Sequence, residues 1–104
     1  LSLPIEKFSS CSDSKGNFFI WEVKVNLVDD WELYPEGFKA IFRLRQMDFG
    51  GGGKLVVLID NHAPYGFHEH DKLPDNHESR VPLNVRSWQE ALSIFQQRCR
   101  EILR

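Results

Sequence analysis

All four histidines of the chain, His62, His68, His70 and His77, fall in one short stretch just after the apolar run from Lys54 to Ile59 gives way to Asp60 and Asn61. In an extended segment side chains alternate, so His68 and His70 share one face while Glu69 takes the other. An imidazole pair titrates near neutrality and can serve as general acid and base, with Asp60 orienting one ring; Asp60, His68 and His70 are the catalytic candidates on that reading. The same residues suit a metal, with His62, His68 and His70 as nitrogen ligands and Asp60 or Asp71 completing the shell. The spacing leaves both chemistries open, along with a plain loop whose histidines only bond to backbone groups. Neither a His-Glu-x-x-His pattern nor a Cys-x-x-Cys pair occurs, and Gly53-Lys54 leads into a strand without a following Ser or Thr, so it is not a phosphate loop. No organic cofactor is expected.

Asp60 and Asn61 also fit a simpler role, since both side chains bond readily to nearby backbone and can cap the turn continued by Pro64 and Gly66. Lys39, Arg43 and Arg45 make a basic stripe along one strand, with Lys24 a possible neighbour. Such a row is either the solvated side of a sheet or a phosphate track for single-stranded RNA, with Tyr65 or Phe67 offering a stacking surface. Lys39, Arg43 and Asn61 are the substrate-binding candidates.

The elements that must position these residues follow from periodicity. Phe19, Trp21, Val23, Val25 and Leu27 alternate with polar residues, as do Phe38, Ala40, Phe42 and Leu44, and each set predicts a half-buried strand. Lys54 to Ile59 is apolar on both faces and predicts a central strand covered on each side. Arg80 to Leu83 is a shorter extended piece that Pro82 confines to an edge. Turn formers from Ser9 to Asn17, Asp29 to Gly37 and Gly50 to Gly53 predict loops, the second carrying Trp31 and Tyr34 back onto the body. Ser87-Trp88-Gln89-Glu90 is a capping box opening a helix. Its apolar stripe is Trp88, Ala91, Leu92, Phe95, Cys99, Ile102 and Leu103, with Arg98, Arg100 and Arg104 gathered near its end. The expected fold is α+β: one domain over 1–104, with a small antiparallel sheet of about four strands packed on one face by a C-terminal amphipathic helix.

The chain has 104 residues and a net charge of -2, enough for one core and without a global basic field for nucleic acid or membrane. No apolar run approaches the roughly 20 residues that span a bilayer, and no signal peptide is evident, so a cytoplasmic protein with no membrane partner is expected. Cys11 and Cys99 read as reduced thiols.

Phe19-Ile20-Trp21-Glu22-Val23, the strand Phe38-Lys39-Ala40-Ile41-Phe42-Arg43-Leu44, then Asp60-Asn61-His62 with His68-Glu69-His70, and a closing amphipathic helix together resemble the TumE family, toxin components of bacterial type II toxin-antitoxin systems. The resemblance runs from about Phe18 onward and implies a toxin role with a helix-turn-helix antitoxin as partner. The positions that match are Asp60, Asn61, His68, His70, Lys39 and Arg43. Where the family carries a glycine and a lysine before its histidine pair, this chain has Pro64 and Tyr65, so any work of that lysine falls to another group. With the histidines and the basic strand, the resemblance leads to an expected RNA-binding or RNA-cleaving toxin. A non-enzymatic module docking a partner through its sheet edge or helix, and a His/Asp metal-binding domain, are the rivals.

Overall fold

A computed structural model describes residues 3–104; the first two residues of the expected domain lie outside the described residues. The order is β1 (Ile5–Ser12), β2 (Phe18–Leu27), β3 (Phe38–Met47), β4 (Gly53–Asp60), β5 (His68–Glu69), β6 (Val81–Pro82) and α1 (Trp88–Ile102). The strands form one antiparallel sheet in the order of the chain. This is the α+β architecture expected, with the sheet extended to six strands by β1 and by the two-residue β5, while the edge piece expected at Arg80 to Leu83 is β6.

Residues paired across a sheet share a face, so the register sorts the whole surface. Val23 lies opposite Phe42, and Phe42 opposite Ile59. This inner face also carries Phe19, Val25, Ala40, Leu44 and Val57, and Trp88, Ala91 and Phe95 of α1 close over it. The helix rests on β3 and β4. Val25, Phe42, Leu44 and Ile59 are fully buried, and each such side chain contributes about 1.5–3 kcal/mol on leaving water. Among the described residues nothing comparable covers the outer face. Leu58 of β4 lies opposite Arg43 there and is half-buried, which corrects the expectation of a strand covered on both sides.

Two loop expectations also change. Ser9 to Ser12 pairs with Phe18 to Trp21 as the end of β1, because an edge strand with a solvated side tolerates serines. The turn shrinks to Asp13–Asn17, where the Asp13 carboxylate accepts the N–H groups of Lys15 and Asn17, each at 2.9 Å, and Gly16 supplies a φ of +85°. In the Asp29 to Gly37 loop, Tyr34 is buried as expected but Trp31 is largely exposed.

The helix begins as the capping box predicts, with Ser87 Oγ accepting the Glu90 N–H at 3.2 Å. The Glu90 carboxylate reaches one residue further back than in the usual box, accepting the N–H of Arg86 at 2.6 Å. Ser87→Ala is expected to lower stability by about 1 kcal/mol in urea denaturation; an unchanged midpoint would show that Glu90 alone holds this helix start. Ile102 departs from the predicted stripe and is exposed, while Leu103 beside it packs against the core. No helix among the described residues is long and apolar enough to cross a membrane.

Candidate functional site

The pleat brings the site together at the end of β4. Asp60 projects from the outer face opposite Ile41 of β3 and His68 of β5. His70 lies just past β5, where its N–H donates to the Leu58 carbonyl at 3.0 Å and carries the pairing one step on. His68 and His70 therefore share the face of Asp60. Glu69 points the opposite way, onto the helix side, and accepts from Arg98 of α1 at 2.8 and 3.2 Å.

His68 Nε2 lies 2.9 Å from Asp60 Oδ1, and His70 Nε2 lies 3.4 Å from Oδ2. Behind the rings, His68 Nδ1 donates to the Gly66 carbonyl at 2.8 Å and His70 Nδ1 to the His77 carbonyl at 2.9 Å. A carbonyl oxygen only accepts, so the hydrogen of each ring must sit on Nδ1. A ring that carries only that proton aims the lone pair of Nε2 at the carboxylate. His70 Nε2 is sealed from solvent and makes no hydrogen bond among the described residues. Both rings are buried, at 2% and 8% exposure. Burial holds His68 below the ordinary imidazole range; the Gly66 carbonyl and Asp60 oppose the shift, while His70 and Arg80 add to it.

One atom from each of Asp60, His68 and His70 falls within 4.8 Å of the others, the one such cluster among the described residues. His62 stays outside it. Its ring is exposed, donates from Nδ1 to the Ala63 carbonyl at 2.7 Å, and meets Tyr34 edge to face at 5.6 Å. Its backbone N–H does serve the site, donating to Asp60 Oδ1 at 3.1 Å. Asp71 is exposed and accepts from Ser79 at 2.7 Å, and His77 contributes only its carbonyl.

Asn61 is completely buried. Its Oδ1 accepts the Ala40 N–H and its Nδ2 donates to the Phe38 carbonyl, both at 2.9 Å. A side chain so engaged continues the β3–β4 ladder past the end of β4, and its complete burial keeps it from contact with a substrate. Of the basic stripe, Arg43 is bound to Glu22, and Lys24 lies 3.3 Å from the same carboxylate. Burial alone would raise the Glu22 carboxyl, but Arg43 and Lys24 hold it below the ordinary range. The stripe is thus half neutralised across the strands. Lys39 is exposed, with its ammonium 5.9 Å from the centre of the Tyr34 ring, the ring that His62 meets edge to face. Phe67 packs against Phe38 at the edge of the core, leaving Tyr65 as the exposed aromatic near the histidines.

Two neighbours of the site carry no sign of that place in the sequence, which gives Tyr34 only a packing role and Arg80 only the start of a short extended piece. Tyr34 packs from the preceding loop, its hydroxyl pushed above the usual range by burial, Asp60 and Asp30. Arg80 arrives with β6. Comparison of the chain with protein-family models, with curated proteins and with solved structures finds no match.

Proposed function

We propose that Asp60, His68 and His70 bind a divalent transition metal and that this centre is the working part of the protein. The observation that carries the reading is the convergence of two buried Nε2 lone pairs on one carboxylate, with both Nδ1–H groups fixed by backbone carbonyls. Two lone pairs facing an anion repel it, and a cation between them reverses the sign of every contact. Outer carbonyls that fix the tautomer are the usual support of metal-bound histidines. Bonds of about 2.1 Å at tetrahedral or octahedral angles put neighbouring ligand atoms roughly 3.0–3.4 Å apart, close to the 2.9 and 3.4 Å found here. Direct acid–base work by the two rings fits less well, because both are buried and point at the same carboxylate instead of flanking a substrate.

Two imidazoles and one carboxylate leave coordination positions open, the arrangement of a metal that activates water or polarises a bound oxygen. The toxin role implied by the TumE resemblance, acting on RNA in the cytoplasm and held in check by a helix-turn-helix antitoxin, joins this reading as metal-assisted attack on a phosphodiester. The partly neutralised basic face supports RNA only through Lys39 and Arg45, the cations not tied to Glu22. The test is elemental analysis and equilibrium titration of protein carrying no histidine tag. One zinc, manganese, nickel or iron per chain is expected, lost in the His68→Ala, His70→Ala double variant; a parent that binds no metal at micromolar concentrations would refute the proposal.

A further inference from the structure

A cleft of about 280 Å³ opens beside the centre, lined by Asp60, His62, Tyr65, His68 and Arg80. It is at the small end of ligand clefts, and it shares Asp60 and His68 with the proposed metal site. Arg80 is brought there by the pairing of β6 with β5, which sets Pro82 opposite His68. Its guanidinium carbon lies 4.8 Å from the centre of the Tyr65 ring, and that ring meets His68 edge to face at 5.4 Å. Nη1 donates to the Glu78 carbonyl at 2.9 Å. The Glu78 carboxylate, 3.8 Å from Nη1, belongs to a side chain 89% exposed, so solvent screens it. Arg80 Nε is sealed from solvent and has no partner among the described residues.

A guanidinium fixed on an aromatic face, with donors left over beside a metal dication, gives a small cleft with positive charge on two walls. A phosphate group matches both: one oxygen can enter an open metal position while others accept from the planar fork. We propose that this cleft binds the phosphate group of a phosphate ester between the metal and Arg80, an inference that rests on the metal reading above. A phosphomonoester and an RNA phosphodiester both offer at least two non-bridging oxygens, one for the metal and one for Arg80.

The test measures binding of inorganic phosphate to the zinc-loaded full chain by calorimetry, for the parent, Arg80→Met and Arg80→Lys. Zinc affinity is measured in parallel, and circular dichroism checks that each variant folds. Zinc is expected to bind all three alike, while phosphate affinity falls roughly tenfold or more in Arg80→Met and less in Arg80→Lys, as the loss of a charged hydrogen bond requires. In competition, a nucleoside monophosphate that displaces phosphate identifies a monoester site, and a short oligoribonucleotide that does so identifies a phosphodiester site; displacement by neither overturns the proposal. Zinc bound normally with phosphate affinity unchanged in Arg80→Met also overturns it and leaves the metal reading standing. No zinc bound by the parent overturns both.

Discussion

Saturating zinc, or another first-row divalent ion, is expected to raise the melting temperature of the metal-free protein by roughly 10 °C or more. A ligand at 100 times its dissociation constant stabilises the folded state by about 2.7 kcal/mol, and each kcal/mol moves the midpoint of a domain this size by about 4–8 °C. The effect should vanish in the His68→Ala, His70→Ala double variant, each protein being compared with its own metal-free melt. Asp60→Asn supplies a change of opposite sign. In the metal-free protein the new amide can donate to the free Nε2 of His70, 3.4 Å from Asp60 Oδ2, while its oxygen keeps the His62 N–H. Without metal that variant is expected to melt no lower than the parent, because the repulsion is gone, and it is expected to lose the metal response. A parent destabilised by Asp60→Asn and indifferent to metal would point to a site that holds protons in place of a cation.

The second large effect belongs to Asn61. Truncation to Ala would strip the Ala40 N–H and the Phe38 carbonyl of their partners in a fully buried place. An unsatisfied buried group costs about 1–3 kcal/mol, and the missing amide leaves a void, so Asn61→Ala is expected to destabilise by about 3 kcal/mol or more in urea denaturation. Against a total stability of about 5–15 kcal/mol for such a domain, that is a large fraction. Asn61→Asp is isosteric but cannot donate to the Phe38 carbonyl, and it buries a charge; it should be at least as damaging. A loss under 1 kcal/mol for Asn61→Ala would mean that water replaces the amide, and the ladder would not depend on it.

Period-two alternation made much of this legible in the sequence. It located β2 and β3, and it placed His68 and His70 on one side of an extended segment, because such a segment offers only two faces. The same rule put Glu69 on the other face, although its partner Arg98 lies on a helix 29 residues away. Properties set by register between distant segments were not legible. Arg43 looks like a free cation along the chain, and only the pairing that sets it opposite Glu22 neutralises it. Asn61 looks like a turn residue or a ligand, and its function depends on the backbone of β3. Arg80 gave no signal because two-residue strands have no periodicity to read. Ser9 to Ser12 misled in the other direction, since turn propensity yields to pairing at an edge.

The most direct measurement is X-ray absorption at the metal edge of zinc-loaded protein, with the parent beside the His68→Ala, His70→Ala double variant. The parent should show a shell of nitrogen and oxygen at about 2.0–2.1 Å that includes the multiple-scattering signature of two imidazoles, with one metal per chain. The double variant should show neither. A parent spectrum without histidine scattering, or the same spectrum in both proteins, would contradict a centre built from Asp60, His68 and His70.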